Sequence, residues 1–443
     1  MATYCITDFG AVADGKTNNS SSIQRAIDTC SEKGGGRVSI PSEGIFVSGT
    51  IQLKKGVDLH LEDGAVLQAS REPCDYASAR LAGEYGGNSG GFLIQAEDAD
   101  HISLTGHGTI DGQADAFMAG WSADAGKHIR QPKEFRPRVI GLFGCHRINI
   151  RGITIRDAAQ WTCHLTGCED VVIHGITIRN ALDIPNCDGI DPDHCRNVHI
   201  SDCHIEAGDD GIVIKTTREY TQYGPSENIT IKGCTIISTS SAIKIGSESA
   251  DDIRDIIVSG CIVKRSNRGL AIQLRDAGNV ENVIFSNCIV ETRAFHKKYW
   301  GNGEAIYITA ANRHEDKPFG RIRNVVCQNI IFRGENGVFI QSAEPGHIRD
   351  IFLFAINGII SKVSAFPVGF HDMRPRFSQE HGGLEEGKLS GITAIFVEGL
   401  TIKNSGIQFE GEERHHWNGY LSTEHVEQLV VENFRKEEVE ISE

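Results

Sequence analysis

"ITIKGCTI" (229–236), "IIVSGCIV" (256–263) and "VIFSNCIV" (283–290) are one phrase written three times. Each has alternating apolar residues, then Gly or Asn, then Cys, then a second short apolar alternation. The phrase extends upstream as "INIRGITI" (148–155), "VVIHGITI" (171–178) and "VHISDCHI" (198–205), and downstream as "VVCQNIIF" (325–332). Taking the residue after the Gly, Asp or Asn as a marker gives Ile153, Ile176, Cys203, Cys234, Cys261, Cys288 and Ile330, with gaps of 23, 27, 31, 27, 27 and 42 residues. Period-2 alternation in short β-branched segments, recurring at this interval without helical patterning between them, predicts a parallel β-solenoid with one coil per repeat. The four cysteines then fall in one column, as small buried hydrophobes.

Upstream, "SSSIQRAIDTCSEKGGG" (20–36) carries Ile23, Ala26, Ile27 and Cys30 on one helical face and ends in glycines. A short amphipathic helix within about residues 1–35 is expected to cap the first coil, whose open edge otherwise invites association. No linker or change of composition follows, so residues 1–443 read as a single all-β domain. From about residue 360 the repeats weaken into a long loop, "FHDMRPRFSQEHGGLEEGK" (370–388), and a charged tail.

The 44 Lys and Arg against 59 Asp and Glu leave a net charge of −15, and no basic run tracks a phosphate backbone. Nucleic acid is therefore not expected as a partner. No apolar stretch reaches membrane-spanning length, and the first residues lack a secretory pattern, so a cytoplasmic protein is expected, or a secreted one if a signal has been removed. Thirteen cysteines without a CxxC pair argue against a disulfide scaffold or structural zinc. Association into a dimer or larger is left open.

"NCDGIDPDHC" (186–195) and "GDDG" (208–211) gather Asp188, Asp191, Asp193, Asp209 and Asp210. Asp188 and Asp209 are 21 positions apart, about one coil, and adjacent parallel strands lie about 4.7–4.9 Å apart, so stacking should set them side by side. Gly208 and Gly211 permit the bend that brings in Asp210. Crowded carboxylates drive their pKa values apart, as an acid and a base require. Glycoside hydrolysis, a Ca²⁺ site and plain Asp-Gly turns all fit such a cluster.

"FGAVADGKTNNSSSIQRAID" (9–28), "NCDGIDPDHCRNVHISDC" (186–203), "AGDDGIVIKT" (207–216) and "AIKIGSES" (242–249) together resemble the polygalacturonase-like, pectin-degrading enzymes of glycoside hydrolase family 28. The resemblance implies a right-handed parallel β-helix of the pectin lyase-like type and a metal-free, cofactor-free inverting displacement. It makes Asp209 the general acid that protonates the leaving oxygen, and Asp188 and Asp210 the pair that positions and deprotonates water. The expected substrate is an α-galacturonosyl or α-rhamnosyl linkage in pectin-derived oligosaccharides, cut from the end. A β-helix lyase or epimerase, or a non-catalytic carbohydrate-binding β-helix, are the rival readings.

The chain departs from the family pattern at substrate-gripping positions. Ser240 stands at a family His, and in "RGLAIQLRD" (268–276) Ala271 and Gln273 replace an Arg and a Lys that hold the substrate carboxylate. Neither replacement can form a two-pronged cationic contact. Arg275, of the same strand parity, and Lys244, one coil away, are candidates for a relocated cation, and a neutral sugar such as rhamnose is the simpler alternative. Lys215 and His194 are further candidate substrate contacts, as are His164 and His204. Tyr299 and Trp300, in the loop "AFHKKYWGNGEAIY" (294–307), are candidate sugar-stacking walls, with "RHHWNGY" (414–420) as a second aromatic cluster.

Overall fold

The structure is a computed structural model, and it describes residues 2–77, 89–296, 299–375, 383–411 and 417–438. Residues 414–416 of the second aromatic cluster lie outside that range. The fold is a right-handed parallel β-helix. Its residues group into two compact units, 1–208 and 209–443.

In the first unit each coil contributes three short strands, so three in-register columns line the interior. One runs Val38, Leu59, Leu104, Ile150, Ile173, Ile200. A second runs Leu67, Ile110, Ile155, Ile178, Ile205, and the third runs Ile51, Ile94, Ile140, Cys163, Ile190. All of these are buried. Burial of each such side chain stabilises by about 1.5–3 kcal/mol before ordering costs. The predicted helix spans Ser20–Glu32, with Ile23, Ala26, Ile27 and Cys30 fully buried on its inner face.

The second unit repeats the pattern. Ile214, Ile245, Ile272, Ile308 and Ile340 form one interior column, and Ile231, Val258, Phe285, Cys327 and Leu353 another.

The marker positions stack as expected. Backbone hydrogen bonds join Ile153 to Thr177, Ile176 to His204, Cys234 to Ile262, Cys261 to Ile289 and Cys288 to Ile331. The preceding Gly, Asp or Asn has a physical cause. Gly152, Gly175, Asp202, Gly233, Gly260, Asn287 and Asn329 all have φ between +52° and +74°, the left-handed turn that Gly, Asn and Asp tolerate best. Each coil turns a corner there, which is why that residue type recurs.

Candidate active site

In the first unit, Asp188 lies in the segment 180–189, just ahead of the strand Ile190–Asp193. The segment is held at several points. Arg136 donates from Nη1 to the carbonyls of Pro185 (2.6 Å) and Ala159 (3.2 Å), and from Nη2 to Asn186 Oδ1 (2.7 Å). Thr162 donates its N–H (3.0 Å) and its hydroxyl (2.6 Å) to the Asp188 carbonyl. Asn180 in turn donates to Thr162 Oγ1 at 2.7 Å. Asp188 is 3% exposed, so its backbone is clamped while its carboxylate sits in a buried setting.

Next to it, Asp191, Asp193 and His194 are buried as well. His164 Nε2 lies 3.2 Å from Asp193 Oδ2, its Nδ1 3.1 Å from Arg138 Nη1, and Arg138 stacks 4.1 Å from the Trp161 ring centroid. These groups form a packed polar network. His164 belongs to that network, and His204 is exposed at the start of the strand His204–Ala207.

In the second unit, Asp209 and Asp210 precede the strand Ile212–Thr216 and are 7% and 3% exposed. Asp209 accepts a hydrogen bond through its backbone carbonyl from Ser238 Oγ. Asp210 is held by its carboxylate. Oδ1 accepts from Ser240 Oγ (2.9 Å) and the Ser241 N–H (3.1 Å), and Oδ2 accepts from the Lys244 ammonium. Burial alone pushes the Asp210 carboxyl up, but the Lys244 charge and hydrogen bond, the Lys215 charge and the Ser240 hydroxyl together hold it below the usual range. Asp210 is therefore an anion.

The flanking glycines act differently from the bend expected of them. Neither has a left-handed φ; instead a Cβ on Gly208 would lie 2.3 Å from the Ile184 carbonyl, and one on Gly211 would lie 2.4 Å from Ile236 Cγ2. Their value is close approach of the backbone.

The remaining sequence candidates have distinct fates. Ser240 and Lys244 are partners of Asp210, and Lys215 is buried beside it. Ala271 pairs with Lys244 on one side and Tyr307 on the other, within an apolar cluster with Phe339 and Met373. Gln273 is fully buried between Gly246 and Thr309, and its carboxamide has no hydrogen-bond partner among the described residues. Arg275 is fully buried, donating to the Arg374 carbonyl (2.9 Å), the Leu274 carbonyl (2.8 Å), Thr309 Oγ1 (3.1 Å) and Tyr307 OH (3.2 Å). Tyr299 is 2% exposed; Trp300, at 8%, lies 5.9 Å from Lys244 Nζ and 5.0 Å from the Arg374 guanidinium.

Sequence reasoning missed the groups that hold these loops. Asp372 accepts from Arg374 Nε (2.8 Å) and Arg268 Nη2 (3.0 Å), all three buried. It also missed Arg136 and the exposed Trp121, for which a lone Arg and a lone Trp between repeats offered no pattern.

A family model, glycosyl hydrolases family 28, matches residues 30–296. The chain belongs to that family. It is 30% identical over 267 residues to a probable polygalacturonase of Vitis vinifera, covering 57% of this chain and 52% of that one. The chain thus spans about half the length of that relative, and 60% of an endo-polygalacturonase of Pectobacterium carotovorum subsp. carotovorum, to which it is 26% identical over 245 residues, 54% of this chain. Its fold is shared with a hyperthermoactive exopolygalacturonase from Thermotoga maritima (TM-score 0.70, 22% identity, 95% of this chain and 92% of that one). It is shared too with a family 28 exopolygalacturonase from Yersinia enterocolitica (TM-score 0.73, 19% identity, 96% and 78%).

Proposed function

We propose that the chain is an inverting, exo-acting glycoside hydrolase that cleaves α-galacturonosyl or α-rhamnosyl linkages in pectin-derived oligosaccharides. The observation that carries this reading is the Asp210 carboxylate. It is buried, held ionised by Lys244, Ser240 and Ser241, and adjoined in sequence by a second buried acid, Asp209. A fixed anion beside a second carboxyl is what acid–base glycoside cleavage needs.

In the proposed reaction Asp209 gives its proton to the glycosidic oxygen as the C1–O bond breaks. Asp210 and Asp188 take a proton from the water that attacks C1 from the opposite face, so one water is consumed and the anomeric configuration inverts. The one-coil spacing of Asp188 and Asp209 in the sequence supports grouping the three.

The grip on the sugar differs from the family pattern. Lys244, the neighbour of Ala271 in the stack, is committed to Asp210, Arg275 is committed to a closed network, and Ala271 and Gln273 themselves carry no charge. A neutral rhamnosyl residue at that position suits a stack whose one ammonium is already paired better than a carboxylate does, which needs a cationic partner once buried.

The test is digestion, in ¹⁸O-water, of oligogalacturonides and of rhamnogalacturonan oligosaccharides ending in either sugar, followed by mass spectrometry. Release of a monosaccharide with one ¹⁸O per bond cut supports the reading. An unsaturated product without label would replace it with a lyase, and no product with any substrate would replace it with a binding protein.

A further inference from the structure

Between the strands Thr109–Asp111 and Arg136–Phe143 the first unit carries a small antiparallel hairpin, Met118–Trp121 against Arg130–Pro132, in which Trp121 pairs with Arg130. Trp121 is 45% exposed, whereas Trp161 and Trp300 are 5% and 8% exposed. Its indole is not loosely held. The Arg130 guanidinium sits over the ring, 5.4 Å from its centroid, and is itself steadied by Asp115 Oδ1 at 3.2 Å.

The root of the hairpin is packed. Phe117 and Met118 are buried, and Phe117, Phe135 and Tyr76 form an aromatic cluster with centroids 5.6–6.4 Å apart. An anchored base makes the tip a fixed platform.

The hairpin also joins the segment that carries Asp188. The Arg130 N–H donates to the Asp183 carbonyl at 2.7 Å, and Arg136, just beyond the hairpin, holds Pro185 and Asn186. The exposed aromatic ring is thus tied through Arg130 to the segment that carries Asp188. A flat, apolar indole stacks on the C–H face of a pyranose ring, while neighbouring polar groups meet the hydroxyls.

We propose that this hairpin is a sugar-binding subsite, in which Trp121 stacks on a pyranose ring of a pectic oligosaccharide and Arg130 holds the indole in place from its other face. The inference rests on the hydrolase reading for the identity of the polymer, but its binding step is measured apart from catalysis.

The experiment is calorimetric titration of trigalacturonate and of a rhamnogalacturonan tetrasaccharide into Asp209→Asn protein, with and without Trp121→Ala. Acrylamide quenching of tryptophan fluorescence is read in parallel, and Trp121→Phe serves as the conservative variant. The proposal predicts affinity about tenfold weaker in Trp121→Ala, equivalent to ~1.4 kcal/mol, with most of it restored in Trp121→Phe. It also predicts that ligand shields the exposed indole from acrylamide only when Trp121 is present. Equal affinity in Trp121→Ala, together with quenching that ligand leaves unchanged in the protein that keeps Trp121, in a chain whose wild type hydrolyses these sugars, overturns the subsite and leaves the hydrolase reading standing. Absence of both hydrolysis by wild type and binding by either protein overturns both.

Discussion

Lys244 places its ammonium against Asp210 Oδ2, joining two residues 34 positions apart in one buried ion pair. Sequence reasoning casts Lys244 as a cation for the substrate; its position makes it a cation for the proposed catalytic base.

Asp210 is held below the ordinary carboxylate range, with Lys244 the largest favourable influence against burial. Lys244→Met removes that influence, so the Asp210 carboxyl rises and takes up its proton at a higher pH. The acidic limb of the kcat/KM profile moves upward, and at acidic pH the rate falls at least about tenfold below wild type. Lys244→Arg keeps the charge and holds the limb closer to its original position. A limb unmoved in Lys244→Met contradicts the assignment.

Asp188→Asn and Asp209→Asn each remove a proposed proton-handling group while keeping its size. Each is expected to lower kcat by about 10²–10⁴-fold, with far-ultraviolet circular dichroism unchanged. Loss of activity accompanied by unfolding assigns the residue to structure instead.

Arg136 clamps the segment that presents Asp188, through Pro185 and Asn186. Arg136→Ala is expected to reduce kcat by about 10–100-fold with a smaller change in KM, because misplacement of a reacting group by a fraction of an ångström is costly. Added guanidinium should recover part of the rate. A change in KM alone shows that Arg136 serves binding.

Asp372 is buried between Arg268 and Arg374. Burial pushes its carboxyl up, but the two guanidinium groups, Arg374 first, hold it far below the ordinary value of 3.8. Its folded-state pKa is depressed, so the stabilisation is present in full above that ordinary value and is lost only as pH falls through the depressed one. Asp372→Asn at neutral pH leaves the buried Arg374 without its anion and Arg268 with Glu304 alone (3.4 Å), and is expected to cost about 3–5 kcal/mol, read as a lowered denaturation midpoint.

The solenoid was legible because two local constraints repeat at every coil. The left-handed corner at Gly152, Gly175, Asp202, Gly233, Gly260 and Asn287 demands a narrow set of residues, and the interior columns demand β-branched alternation. The carboxylates stand out in the sequence because Asp188 and Asp209 lie 21 positions apart, about one coil. The links between loops were not legible. Arg268 and Asp372 are 104 positions apart, and the loops between them follow no period. Trp121 was missed because its strands, four and three residues long, interrupt the repeat and carry none of its alternation.

The central claim, inverting hydrolysis of a pectic α-linkage, is tested most directly by proton NMR of the sugar released in the first minutes of digestion, before mutarotation. The account predicts that β-galacturonate or β-rhamnose accumulates first and the α anomer appears later. Release of the α anomer first means a double displacement, and contradicts the roles proposed here for Asp188, Asp209 and Asp210.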